Sequence, residues 1–375
     1  VFEFTRHWVK QGHKVCVITA PYEKSDIRGK SFITKLEIEG IKIIVINSGD
    51  SNRFSFLKRA YRALLFSLIA TFYAIKQSKD VIIASSGPIT IGIPGLMAAF
   101  FSRKKLVFEI RDLWPDGAIE MGLIKNRFLI RIARYYEHFI MNKSDLIITA
   151  SSGQKNNLLQ RFENHKIEVV NHPVDVSFFQ SKMEEDAEFD ARFLNKKIFL
   201  HIGSLGFIHN CTFIIDAAIE LKKMCVNDDI VIVFIGEGSQ RQLLEQKAEI
   251  MSFNNVFFLG LKPKSKLPFW MKKSVASLFT TLNNPIQDTS SPNKIFDSFA
   301  AGRPIIQNTK GWIYNLVEDQ GIGINAPTPP AMAKAIFKLA QDEDIAKVMG
   351  TKALNYAKTN LDSEILSKRY LDYLD

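Results

Sequence analysis

The sequence predicts an α/β fold of two doubly wound, Rossmann-like domains facing a cleft, and three observations carry that expectation. Short β-branched runs alternate with helical segments along nearly all of the 375 residues, 46% of which are hydrophobic. The runs are continuously apolar rather than alternating, as strands of a parallel sheet covered on both faces must be. The alternation stops at one polar patch and then restarts, which in a chain of this length separates two cores.

The elements follow in order. Phe2, Phe4, Trp8 and Val9 fall at helical spacing before Gly12, so the chain opens inside a helix, and the first strand of the N-terminal domain is expected to lie ahead of Val1. Strands are expected over 14–19, 41–47, 81–86, 105–110, 145–151 and 167–170. After Val170 come Asn171, His172, Pro173, Val174 and Asp175, then the acidic patch Glu184, Glu185, Asp186, Glu188 and Asp190. The boundary is placed there, giving residues 1–172 and 173–375. The second half repeats the pattern over 198–203, 231–236, 256–260, 276–280, 304–308 and 321–325. The last helix, about 360–375, carries the stripe Ile365, Leu366, Tyr370, Leu371 and Leu374, and is expected to pack back across the junction.

Charge divides the halves. Residues 1–180 hold 26 Lys and Arg against 16 Asp and Glu, whereas residues 181–375 hold 23 of each, so the whole net charge of +10 lies in the first half. Such a face suits a polyanion: anionic lipid headgroups, a diphosphate-linked substrate or nucleic acid. Lys58, Arg59 and Arg62 precede an apolar run over 63–75 that Lys76 and Lys79 close. The run is too short to span a bilayer, and two readings stand: a buried helix of the N-terminal domain, or an interfacial helix that docks on a membrane. Cys16, Cys211 and Cys225 lie too far apart in sequence for a metal or redox motif and read as buried thiols of a reducing compartment. The seven histidines show no metal-ligand spacing, and no GxSxG, HExxH or CxxC occurs, which lowers hydrolase and metalloenzyme readings.

Ligands of doubly wound sheets sit at the C-terminal ends of the strands, so the residues just after each strand carry the functional reading. Gly203-Ser204-Leu205-Gly206 and Gly236-Glu237-Gly238 follow strands and let a backbone approach a phosphate, although glycine turns also serve packing alone. Arg111, Asp112, Trp114 and Asp116 come straight off the 105–110 strand into a polar and aromatic loop, either as a site or as a salt-bridged surface turn. Residues 290–304, SSPNKIFDSFAAGRP, are the most informative stretch: Ser290, Ser291, Pro292 and Asn293 open a helix whose N-terminal amides can hold a diphosphate, with Lys294 adding charge. Asp297, one turn further in, could accept two ribose hydroxyls. Plain helix capping is the competing reading of the same residues.

Taken in order and spacing, Asn171-His172-Pro173-Val174-Asp175 with Phe178, the two glycine loops, Val256-Phe257-Phe258-Leu259-Gly260 and SPNKIFDSFAAGRPII resemble the retaining family 4 glycosyltransferases of the GT-B fold. The segment FEIRDLWPD, residues 108–116, makes the chain similar to the bacterial branch that builds surface polysaccharide, with the colanic acid and O-antigen transferases and their L-fucosamine transferase group. The resemblance implies that Asp297 is the second acidic residue of the family's E-x7-E motif and binds ribose, and that Ser291 to Lys294 wrap the diphosphate. The first acidic position falls on Thr289, so Asp288 or Gln287 would substitute. The family's Arg and Lys phosphate pair falls on Ser204 and His209, leaving Lys294 and Arg303 as cationic partners. Arg111 stands where many members have a His.

The resemblance therefore implies a retaining hexosyltransferase, independent of a metal or other cofactor. It would move an N-acetylated or 6-deoxy hexose from a UDP-sugar to a polyprenyl-diphosphate-linked acceptor, peripheral on the inner face of the cell membrane, with no nucleic acid partner. Lys294, Arg111 and Asp112 are the expected catalytic residues, and Arg111, Asp112, Trp114 and Asp116 the acceptor-binding ones. Gly203, Ser204, Leu205, Gly206, His209, Gly236, Gly260, Asp288, Thr289, Ser290, Ser291, Pro292, Asn293, Lys294 and Asp297 would bind the donor. Two alternatives remain open: a GT-B UDP-sugar 2-epimerase and a non-catalytic scaffold of a transferase complex.

Overall fold

The computed structural model of the chain describes residues 2–21, 31–48, 56–77, 79–86, 89–181, 183–224, 229–251 and 254–374. Cys225, Gly87, Pro88 and the start of the basic segment before residue 56 lie outside them. The chain divides into two compact units, residues 1–171 with 366–375, and residues 172–365.

The first unit opens with α1 (Phe2–Lys10), β1 (Cys16–Thr19), β2 (Ile33–Ile38) and β3 (Ile41–Ile46). It continues through α2 (Phe56–Lys76), β4 (Val81–Ser85), α3 (Gly92–Ser102), β5 (Lys105–Ile110), α4 (Asp116–Glu120), α5 (Arg127–Lys143), β6 (Leu146–Thr149), α6 (Ser152–Leu159) and β7 (Ile167–Val169). Strands β4-β5-β6-β7 form a parallel sheet, and β1-β3-β2 a mixed one in which β2 runs antiparallel to β3. No strand was expected over β2. Its side chains are half-buried or exposed, so it lacks a continuous apolar run, and it is tied to β3 by Glu39 and Gly40, both at positive φ as a tight hairpin turn requires.

The second unit contains α7 (Val176–Gln180), β8 (Lys197–Ile202), α8 (Thr212–Met224), β9 (Ile230–Ile235), α9 (Arg241–Ile250), β10 (Val256–Phe258), α10 (Leu267–Lys273) and β11 (Ser274–Phe279). After these come α11 (Asn293–Ala300), β12 (Ile305–Gln307), α12 (Gly311–Gln320), β13 (Gly323–Asn325), α13 (Pro329–Gln341), α14 (Glu343–Tyr356) and α15 (Ser363–Leu374), which ends in the first unit. All six strands are parallel in the order β10-β9-β8-β11-β12-β13. That is the doubly wound order, and its direction reverses between β8 and β11, where open α/β sheets place their ligands.

Period-two alternation explains why both faces of this sheet are apolar. Ile198, Leu200, Val231, Val233 and Ile235 join one core cluster with Ile295, Phe296 and Phe299 of α11. Phe199, Ile232 and Phe234, the residues between them, join a second with α8 and α13. In the first unit, Phe4 and Trp8 of α1 stack at 5.9 Å and meet the ring of Tyr370 of α15 edge-on. The Trp8 Nε1–H donates to the Ser367 carbonyl.

Candidate functional site

The C-terminal edge of the second sheet collects the glycine loops. Gly203 has φ +138 and Gly236 φ +148, values that L side chains rarely adopt, and a Cβ on Gly236 would stand 1.8 Å from the Gly203 carbonyl oxygen. The loops after β8, β9 and β10 are laced together: Gly203 N–H donates to Ile235 O, Gly236 N–H to Gly260 O and Leu205 N–H to Glu237 O. The amides of Gly203 and Gly236 are consumed by the lacing, so what these glycines can offer a ligand is close approach and not an N–H donor. Leu205 is a correction, because its side chain is buried in the core and its carbonyl accepts from Gln240, which makes it an anchor of the loop and not a ligand group.

Lys294, on the first turn of α11, reaches across to the β8 loop. A Cβ on Gly203 would lie 2.9 Å from Lys294 Nζ, so the missing side chain is what admits the ammonium. The same Nζ stands 3.4 Å from His209 Nδ1 and 5.4 Å from the centroid of the Phe279 ring. Among the described residues Lys294 makes no ion pair. Burial pulls its ammonium down to about 8. Burial, and then Lys294, pull His209 down to about 4. Beneath them His201 is fully buried and held well below its usual range by burial, with Nδ1 3.1 Å from Leu278 O and Nε2 3.5 Å from Cys211 Sγ. Burial pushes the Cys211 thiol up to about 11. Among the described residues no carboxylate pairs with these basic groups.

No side chain caps the N-terminus of α11, which starts after Pro292. The capping reading of Ser290 and Ser291 therefore fails: the Ser290 hydroxyl donates to Gln287 O at 2.7 Å, and the buried Ser291 hydroxyl has no partner among the described residues. The Thr289 hydroxyl donates to Ile286 O, and Asp288 accepts from the Lys310 amide at 2.9 Å, so Thr289, Ser290 and Asp288 brace the loop's own backbone. Trp312 Nε1 donates to Ser290 O at 2.7 Å and pins the same turn. Asn293 is exposed at the helix start.

Asp297 lies three residues after Lys294, hence on the same side of α11. It is half-buried, and among the described residues nothing hydrogen-bonds its carboxylate. Burial raises it to about 6, with Lys264 opposing. Arg303 is a correction: it donates to the Lys272 carbonyl, ahead of β11 and thus at the opposite edge of the sheet from Lys294. Two groups missed in the sequence stand at the edge that matters. Thr280 follows β11 and bonds the His209 carbonyl at 2.7 Å, and Thr281 keeps a buried hydroxyl without a partner. Their place just after a parallel strand was the available signal.

In the first unit, Arg111 follows β5; its amide donates to Ser86 Oγ and its carbonyl accepts from Gln154, which leaves the half-buried guanidinium unconstrained by the loop. Asp112 is exposed and Trp114 half-buried. Asp116 is set apart from them. Its carboxylate is 2.5 Å from Arg134 and 3.0 Å from Arg161, and Arg161 also holds Glu137 at 2.7 Å, so both oxygens are spent on a buried ion-pair network. The acceptor-binding expectation for Asp116 gives way to an architectural role.

The chain is similar to known proteins. The chain is 23% identical over 385 residues to the "Putative colanic acid biosynthesis glycosyl transferase WcaI" of Escherichia coli K12, covering 96% of this chain and 92% of that one. It is 24% identical over 290 residues to the N-acetylgalactosamine-N,N'-diacetylbacillosaminyl-diphospho-undecaprenol 4-alpha-N-acetylgalactosaminyltransferase of Campylobacter jejuni, covering 74% and 72%. Among solved structures, Anabaena Alr3699/HepE in complex with UDP superposes with a TM-score of 0.68 at 15% identity, over 90% of this chain and 86% of that one. The family model Glycosyltransferase Family 4 matches residues 1–178, and the model Glycosyl transferases group 1 matches residues 196–342. With its two parallel-sheet units and these matches, the chain belongs to the family 4 glycosyltransferases of the GT-B fold.

Proposed function

We propose that this glycosyltransferase moves a hexose from a UDP-sugar to a lipid-linked saccharide in the synthesis of a bacterial surface polysaccharide, with retention of anomeric configuration. The observation that carries the donor site is the Lys294 ammonium beside Gly203 and His209 at the switch point, together with the uncapped helix start and the lone Ser291 hydroxyl. A diphosphate there would take charge from Lys294 and from the α11 amides, and Asp297 would accept the ribose hydroxyls. The solved HepE relative is in complex with UDP, which supports that donor class.

As the bond from the anomeric carbon to the UDP oxygen breaks, negative charge grows on the diphosphate, where Lys294 and the helix dipole stabilise it. Among the candidate residues none is a convincing nucleophile, so attack from the leaving-group face accounts for retention. The acceptor hydroxyl forms the new bond and its proton passes to the departing phosphate. Arg111, Asp112 and Trp114 would hold the acceptor. The name of the Campylobacter relative supports a polyprenyl-diphosphate acceptor and an N-acetylated sugar, and the WcaI name supports surface polysaccharide synthesis; a lipid-linked acceptor would place the work at the inner face of the membrane.

Titration calorimetry with UDP tests the donor site, and nuclear magnetic resonance of the product made from UDP-sugar and lipid acceptor tests transfer and retention. Absence of UDP binding, or an epimerised sugar nucleotide as the product, refutes the proposal.

A further inference from the structure

Fifteen of the exposed large apolar side chains lie between residues 61 and 139, all in the first unit. On α2 they form one stripe at helical spacing, with Leu64, Leu68 and Phe72 more than half exposed. On α3, Phe100 is 74% and Phe101 59% exposed. On α5, Phe128, Ile132 and Tyr135 repeat the stripe. A water-soluble surface carries such residues singly, not as three parallel stripes.

The topology places the three stripes on one surface. β4 to β7 are parallel and adjacent in chain order, and right-handed crossovers put the helices that lead into and between them on the same face of the sheet. The packing agrees: α3 touches both α2 and α5, and Gly92 and Gly95 of α3 lie against Ile140, Ala84 and Leu106. α1 and α15 cover the other face, on Val107, Leu146 and Ile148. The outer sides of α2, α3 and α5 thus form one layer facing solvent.

The charge of this layer names its occupant. Residues 56–143 contain 14 Lys and Arg against six Asp and Glu, and Arg103, Lys125, Arg127 and Arg131 are exposed around the apolar stripes. Apolar rings inside a cationic rim match the acyl boundary and headgroups of an anionic lipid leaflet, where long basic side chains keep their charge among phosphates while their stems cover apolar surface. No helix among the described residues is long and apolar enough to cross a membrane, so the contact is to one leaflet.

We propose that the outer layer of α2, α3 and α5 is a docking platform for an anionic bilayer, with Phe100 and Phe101 at the end of α3 as inserting groups. It deepens the proposed lipid-linked acceptor, on which it rests for its purpose, and widens the single basic-apolar helix legible in the sequence to three. The test is co-sedimentation with vesicles of phosphatidylcholine alone and with about 30% phosphatidylglycerol, for the full chain, for F100S/F101S and for L68S. The platform predicts at least tenfold stronger binding to the anionic vesicles, loss of at least tenfold in F100S/F101S, a smaller loss in L68S, and unchanged UDP binding in both variants. Equal binding to neutral and anionic vesicles, or full binding by F100S/F101S, overturns it. So does a stable dimer in sedimentation velocity that these substitutions dissociate, since a second copy would then own the surface. UDP binding without vesicle binding refutes the platform alone; vesicle binding without UDP binding refutes the donor site alone.

Discussion

Lys294 Nζ stands 3.4 Å from His209 Nδ1, two basic groups facing each other with no carboxylate between them. Burial pulls the lysine down to about 8 and the histidine down to about 4, so a neutral imidazole can accept from the ammonium across this contact. For Lys294 burial alone lowers the value, and for His209 burial comes first and the Lys294 charge second. A diphosphate bound beside them, as proposed, would supply the counter-charge and favour the protonated forms of both.

Lys294→Ala removes the positive charge that the first turn of α11 carries. Transfer should slow by roughly two powers of ten if this charge stabilises the leaving group, with kcat falling more than KM rises. Steady-state kinetics with UDP-sugar and lipid acceptor measure this, and unchanged kcat would remove Lys294 from the chemistry.

Donor binding should be linked to proton uptake. An anion favours the charged forms of Lys294 and His209, so the complex holds more protons than the free protein, and UDP affinity should fall as pH rises through about 8, where free Lys294 loses its proton. Calorimetry in buffers of different ionisation enthalpy should show net uptake near pH 8 that Lys294→Met abolishes. His209→Ala should remove any further uptake seen near pH 6. Equal heats in all buffers would sink this linkage.

Asp297→Asn should weaken UDP binding by one to two powers of ten yet stabilise the fold at neutral pH. Burial raises the carboxyl to about 6 against an ordinary value of 3.8, so the folded state binds the extra proton between those values. Its contribution is fully present below about pH 4 and is lost as pH rises through about 6. The amide variant escapes that loss, with a gain of about 1–2 kcal/mol at pH 7 that vanishes near pH 4. Urea unfolding at both pH values checks the sign.

Asp116→Ala takes one of two carboxylates from Arg134 and Arg161, which keep Glu137 as their shared partner, and removes a like charge that helps burial hold the Glu137 carboxyl up. A loss of about 1–2 kcal/mol from the first unit is expected, less than for a fully buried pair because both guanidiniums reach solvent and keep Glu137. UDP binding should survive, since the donor residues lie in the other unit. Hydrogen exchange resolved by segment separates the two responses. Loss of transfer without loss of protection would return Asp116 to the acceptor site.

Strands buried on both faces announced themselves: β9 is apolar throughout and β5 and β8 are apolar at four of six positions on both faces, a pattern that suits the inside of a covered parallel sheet. β2 escaped notice for the converse reason, being an edge strand whose pattern is diluted by Lys35 and Glu37. At the site, the helix start at Asn293 and the one-turn spacing of Lys294 and Asp297 were readable, since both are local properties of the chain. The direction of each side chain was not. Leu205 and Ser204 are neighbours in one loop, yet the first is sunk in the core and the second exposed, and no spacing rule distinguishes them.

Apolar rhythm, chain length and the order of turn residues were enough to establish a two-domain parallel α/β architecture and to point to the loops after its strands, because period and composition act locally. Three matters needed folded neighbours: which amides those loops had already spent, that Lys294 meets His209 from 85 residues away, and that Asp116 belongs to an ion-pair network. The apolar outer sides of α2, α3 and α5 likewise became a single surface only through the handedness of their crossovers. Burial and long-range pairing are properties of the packed chain, and the charge state of a site follows from them.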